Sequence, residues 1–161
     1  MVSRCTQNTD ATLQVAQEFL EELSQSWLDC PSGVRRVLRI LGEEVARRWP
    51  HMGQSSVCNL LILRLLSPAI MASAASTSPH LHHCIIAEPS PTSLHHTTTA
   101  LDGNAKRTLL LVTKMLQSLA NGVSLDGSKE DYMKQFGAFS SRANQQRLSS
   151  FVDQLTVRDQ P

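Results

Sequence analysis

Leu60-Leu61-Ile62-Leu63-Arg64-Leu65-Leu66-Ser67-Pro68-Ala69-Ile70 is the most hydrophobic stretch of the chain, and its reading decides the fold. Val57, Leu60, Leu61, Ile62, Leu63, Leu65 and Leu66 surround one helix axis from about Ser55 to Leu66, with Pro68 as its expected end. A helix that is apolar nearly all round belongs at the centre of a bundle. Arg64 stands in the middle of it. A buried guanidinium is costly unless paired, so Arg64 either reaches water at an edge or holds another group in place.

Outward from this stretch, the chain keeps a helical period. Toward the N-terminus, Ala16, Phe19, Leu20, Leu23 and Trp27 recur at steps of three and four, predicting a helix from about Asp10 to Leu28 capped by Thr9 or Asp10. Asp29-Cys30-Pro31-Ser32-Gly33 is a turn. Val34, Val37, Leu38, Leu41, Val45 and Trp49 predict the apolar face of a second helix, Ser32 to Trp49, stopped by Pro50. Its basic residues read as a solvated face, with Glu43–Arg47 and Glu44–Arg48 in the favourable i,i+4 order.

Composition changes between Ser73 and Gly103, which are rich in Ser, Thr, Pro and Ala and have no period. This segment reads as a low-complexity insert. It holds His80, His82, His83, His95, His96 and Cys84. Their spacing lacks the paired ligands of a structural zinc site, so no metal is assigned.

Beyond the insert, Leu109, Val112, Leu116, Leu119 and Val123 form the core stripe of a helix from Asn104 to Asn121, with Gly122 as its stop. Arg107, Lys114, Gln117 and Asn121 share the opposite face at about 100° per residue. Leu110 and Leu111 flank that polar line. It is either a solvated face or a contact line for a partner. Ser128 and Asp131 resemble a capping box before a short helix, and Leu148, Phe151, Val152 and Leu155 mark a last helix, about Asn144 to Val157. No convincing strand pattern appears, so the expected class is an all-α helical bundle.

The bulk properties exclude several functions. The 161 residues carry 15 basic and 14 acidic side chains, a net charge of +1, which argues against nucleic acid or an anionic membrane surface as partner. Aromatic residues are 4%, too few for base-stacking platforms. Four cysteines without a C-x-x-C pair give no disulfide framework. No apolar run approaches the roughly 20 residues of a membrane span, and no signal core precedes Asp10. No phosphate-binding glycine loop, H-E-x-x-H or G-x-S-x-G motif is present.

Two stretches resemble one family. Ile62-Leu63-Arg64-Leu65-Leu66-Ser67-Pro68-Ala69-Ile70 resembles the F-L-R-x-x-x-P-A-I signature of Ras GTPase-activating domains, with Ile62 in place of Phe. The run from Arg107 to Asn121 resembles the family's R-x-L-x-L-x-x-K-x-L-Q-x-L-A-N helix. Ser128 to Met133 looks most like the neurofibromin branch. The resemblance covers about residues 10–155 apart from 73–103. It implies an incomplete Ras-GTPase-activating bundle over 10–157, interrupted by the insert and preceded by a disordered stretch 1–9.

The resemblance also implies a role for each matching residue. Arg64 corresponds to the arginine that braces a finger loop, and Leu63 to the leucine that packs on the GTPase. Arg107, Lys114, Gln117 and Asn121 correspond to the partner-binding groove, and Pro68 and Ala69 to structural positions. The expected partner is a Ras-like small GTPase, whose GTP and Mg²⁺ are its own, so no cofactor belongs to this chain. The chain is expected to act not as an enzyme but as a regulator of the GTPase's hydrolysis. Its expected location is the cytoplasm, with membrane contact only through a lipidated GTPase. The resemblance implies an arginine finger supplied in trans to the GTPase. The family carries that finger in an F-R-x-N loop far upstream of Arg64, and no such loop occurs here. The chain therefore looks like the C-terminal half of the domain, expected to be inactive alone. The alternative is a non-activating module that binds a GTPase or a helix.

Overall fold

A computed structural model describes the backbone of residues 2–75 and 102–157, and the side chains of 8–73 and 102–157 within them. The helices are α1 (Val2–Gln25), α2 (Ser32–Arg48), α3 (Gly53–Asn59), a π-helical segment Leu60–Leu66, α4 (Ser67–Ala75), α5 (Gly103–Ala120), α6 (Asp131–Lys134) and α7 (Arg142–Thr156). Short 3-10 turns lie at Ser26–Asp29, Leu125–Gly127 and Gly137–Ser140. Among the described residues there is no strand, and the all-α expectation holds. Most of the insert, with all five of its histidines and Cys84, lies outside the described residues.

One core joins the helices. Ala16 and Leu20 of α1, Leu38 of α2, Val57 of α3, Leu61 and Ile62 of the π segment, Val112, Met115 and Leu116 of α5, and Leu148, Phe151, Val152 and Leu155 of α7 are buried together. Phe136 and Phe139, between α5 and α7 in the chain, belong to the same core. Burying one such side chain contributes about 1.5–3 kcal/mol. Polar ties register the helices. Asn144 on α7 exchanges amide hydrogen bonds with Gln17 on α1 and donates to the Phe139 carbonyl at 3.0 Å. Gln54 on α3 donates to Asp153 on α7 at 2.7 Å.

The α2/α3 crossing is close because glycine is on both sides. A Cβ on Gly53 would lie 2.8 Å from the Gly42 carbonyl oxygen and 3.0 Å from the Ala46 Cβ. A Cβ on Gly42 would meet Val57 at 3.1 Å. Gly122 has φ +65°, the left-handed region open to glycine. Its N–H donates to the Leu119 carbonyl, and the Val123 N–H donates to that of Ser118, both at 3.0 Å. This is a Schellman stop to α5.

Several expectations need correction. α1 starts at Val2, so residues 2–9 are helical, not disordered, and Thr9 and Asp10 lie inside the helix and do not cap it. No Gly or Pro interrupts residues 2–25, and a helix once nucleated extends at little cost. Pro68 does not end the central helix, which continues to Ala75. In the π segment the Ser67 N–H reaches back five residues to the Ile62 carbonyl. In a regular α-helix the Pro68 ring would meet the Arg64 carbonyl, and the wider turn relieves that clash. The continuous helix Gly53–Ser73 has mean hydropathy 1.6 and is long and apolar enough to cross a membrane by length and composition, contrary to expectation. It packs against α2, α5 and α7, with 28% of its most apolar window buried.

On α2, Leu38 is buried but Val37 is 59% and Trp49 56% exposed. The neighbours cover a narrower strip than the apolar face provides. Its ion pairs also differ in register: Arg39–Glu43 at 3.3 Å and Arg47–Glu44 at 3.1 Å, with Arg48 over the Trp49 ring. Asn104 lies inside α5, whose N-cap is Asp102, and Val123 is exposed past the Gly122 reversal. Ser128 accepts from the Glu130 N–H, so the capping box is not formed. α7 starts at Arg142, two residues before the expected Asn144, and Ser141 caps it by accepting from the Asn144 N–H.

Candidate functional site: the polar face of α5

α5 buries Val112, Thr113, Met115, Leu116 and Leu119. That fixes its rotation, and the expected polar stripe lies on the opposite face. Arg107 and Asn121 are exposed, and Lys114 and Gln117 are half-buried. Leu110, 42% exposed, sits within the stripe and gives it an apolar patch. Thr113, buried, donates to the Leu109 carbonyl and so leaves no free hydroxyl in the core.

At its N-terminal end the stripe borders a cleft of about 320 Å³ between α1 and α5. Asn8, Thr12, Val15, Arg107, Leu111 and Gln135 are among its lining residues. Thr9 donates to the Gln135 side-chain oxygen at 3.0 Å across this end.

Midway along the stripe, Lys114 is held. Its ammonium donates to both Glu130 oxygens, at 2.9 and 2.7 Å, and to the Tyr132 hydroxyl. That hydroxyl donates in turn to Glu130 at 2.7 Å. These hydrogen bonds, first that of Glu130, raise the Lys114 pKa above its ordinary value. The bond from Lys114 foremost, then that from Tyr132, lowers the Glu130 pKa. Lys114 Nζ is 5.1 Å from the Tyr132 ring centroid. The ring's radius and the C–O bond occupy most of that distance, so the ammonium lies beyond the hydroxyl, at the ring edge. The contact is a hydrogen bond rather than a cation–π interaction. Sequence reading singled out Lys114 but missed Glu130 and Tyr132. The available signal was the acidic Glu130-Asp131 pair just past the Gly122 reversal, which brings the chain back along α5.

The other signature packs beside this helix, since the π segment and α4 both contact α5. Ile62 is fully buried and Leu63 half-buried, while Arg64, Pro68 and Ala69 are exposed. Among the described residues Arg64 makes no hydrogen bond or ion pair, and its side chain is exposed. The structure brings Lys114 together with Glu130 and Tyr132, and gives Arg64 no polar contact with the stripe. Ser67, next to it, is buried with no hydrogen-bond partner for its hydroxyl among the described residues. π turns are rare and occur often at functional sites, and this one coincides with the first signature. Among the described residues no cluster of three His, Cys, Asp or Glu could hold a metal.

The all-helical bundle thus sets a polar stripe on α5 beside a π-turned apolar helix. The comparisons name the class. The family described as GTPase-activator protein for Ras-like GTPase matches residues 1–121. Human Ras GTPase-activating protein 1 is 31% identical over 153 residues, 92% of this chain and 13% of that protein. Bovine RAS protein activator like-3 is 31% identical over 128 residues, 80% of this chain and 10% of that protein. Neurofibromin-A of Dictyostelium discoideum is 27% identical over 148 residues, 91% of this chain and 14% of that protein. The chain belongs to the Ras GTPase-activating protein family. It spans a small part, 10 to 14%, of the length of these three relatives.

Proposed function

We propose that this chain docks a Ras-like small GTPase through the polar face of α5 and forms part of an activator that stimulates GTP hydrolysis, restraining Ras-type signalling. The observation that carries the reading is the match of residues 1–121 to the activator family together with an α5 whose Arg107, Lys114, Gln117 and Asn121 all lie on its open side. Arg107 attracts acidic groups on the partner and orients it, and Lys114 joins it by exchanging Glu130 for a partner carboxylate. Leu63 and Leu110 supply apolar contact. Gln117 and Asn121 offer amides to the partner's backbone.

Arg64 acts one step away from the chemistry. Its guanidinium can donate five hydrogen bonds, enough to fix the carbonyls of a finger loop. GTP and Mg²⁺ come with the GTPase. The location that follows is the cytoplasmic side of a membrane, reached through the GTPase's lipid. With no F-R-x-N loop in the 161 residues, the chain lacks the finger and binds without accelerating. That same absence favours the second reading, a module that docks without activating in any context.

A single-turnover assay tests this. GTP-loaded Ras-like GTPase, saturated with the chain, should hydrolyse GTP at its intrinsic rate while forming a measurable complex. A large acceleration would remove the account of the finger. Within a longer protein that carries a finger, Arg64→Ala should lower the stimulated rate more than the affinity, because it disorders the finger and removes no contact area. A longer protein with no stimulated hydrolysis would leave the second reading.

A further inference from the structure

We propose that Tyr132 is a phosphorylation site for an ATP-dependent protein tyrosine kinase, and that its phosphate takes Lys114 away from Glu130 and closes the docking stripe. The regulatory half of this rests on the docking reading. The site itself rests on geometry. Tyr132 is the chain's only tyrosine and is 45% exposed. Its hydroxyl touches two groups, the ammonium of the half-buried Lys114 and the carboxylate of the exposed Glu130. Glu130 and Asp131 immediately precede it, and Lys129 and Lys134 flank them, so the acidic charge lies on the N-terminal side of the tyrosine within a segment that is neutral overall.

In the transfer, the Tyr132 oxygen attacks the γ-phosphorus of ATP. The new O–P bond forms as the bond to the ADP oxygen breaks, and the hydroxyl proton passes to the kinase's base. The product carries about −1.5 to −2 charges and three acceptor oxygens where one hydroxyl stood. The ammonium prefers this anion to the single carboxylate, and the carboxylate is repelled by it. Glu130 swings out, and Lys114 is capped by a phosphate. The middle of the stripe turns from a balanced Lys–Glu pair into a net negative centre, which repels the acidic surface that Arg107 and Lys114 select.

The test treats the folded 161-residue chain with ATP·Mg²⁺ and a recombinant tyrosine-kinase catalytic domain that modifies a synthetic peptide of residues 124–140. One phosphate should be incorporated, mapped to Tyr132 and absent from Tyr132→Phe. By ³¹P NMR its second pKa should fall below the roughly 6 of an unpaired phosphate and return there in Lys114→Ala. Affinity for a GTP-loaded Ras-like GTPase should drop at least tenfold on phosphorylation. No incorporation into the folded chain, or a phosphate titration indifferent to Lys114→Ala, would overturn the site. Unchanged GTPase affinity would overturn its regulatory role. Incorporation and titration are read without the GTPase. If both succeed and the unmodified chain binds no GTPase, the docking reading falls and the modification site stands.

Discussion

At the scale of single residues, environment separates side chains of the same type. Cys58 is buried on α3, and burial pushes its thiol up to about 11. The thiolate is the reactive form, so Cys58 should resist alkylation in the folded chain at mildly alkaline pH and react only on unfolding. Mass mapping of iodoacetamide adducts checks this, with Cys30, half-buried, as the faster internal control. Ser67 is the converse case, a buried hydroxyl without a partner. An unmade hydrogen bond carries a desolvation penalty of about 1–3 kcal/mol, so Ser67→Ala should leave stability unchanged or raise it by about 1 kcal/mol in urea denaturation. For the Lys114–Glu130 pair, the raised Lys114 pKa means that its contribution is lost as pH rises through that value. The lowered Glu130 pKa means that its contribution is lost as pH falls through that value. The stability difference between the native chain and Glu130→Gln should therefore be flat through neutral pH and shrink in acid, below the usual glutamate range.

At the scale of elements, the α2/α3 crossing and the π turn decide how the first signature is presented. Gly53→Ala places a methyl against the Gly42 carbonyl and Ala46, and should destabilise the fold by about 1–3 kcal/mol, while Gly33→Ala, in open space, should not. Thermal melts of the two variants make the comparison. Much of this level was legible from periodicity. Ala16, Leu20, Leu38, Leu148, Phe151, Val152 and Leu155 were all phased to the core by their three-and-four spacing, and all are buried. The π turn was not legible, because an apolar pattern records which side faces the core and not which carbonyl each N–H reaches. Pro68 therefore read as an end. Val37 and Trp49 misled for a related reason: spacing gives the direction of an apolar face, while its covered width depends on neighbours distant in sequence. In the candidate site, the orientation of Arg107, Lys114, Gln117 and Asn121 followed from the helix period alone. The Glu130 and Tyr132 partners did not, since they return to Lys114 only through the Gly122 reversal.

At the scale of the whole molecule, the fold buries one continuous core yet leaves apolar faces open. Val34, Val37, Ile40 and Trp49 on or just past α2, and Leu65 and Met71 on the central helix, are all exposed. Open apolar surface of this kind favours association, so sedimentation velocity should show the chain self-associating as its concentration rises, and it should bind anilinonaphthalene sulfonate while folded. A monomer that ignores the dye would contradict this. The central claim concerns a different surface, the polar face of α5. Its most direct test is a calorimetric titration of a GTP-loaded Ras-like GTPase with the native chain and with an Arg107→Ala, Lys114→Ala double variant shown by circular dichroism to be folded. Saturable binding by the native chain, weakened at least tenfold in the variant, is the predicted result. No binding, or binding of equal strength by both, would contradict it.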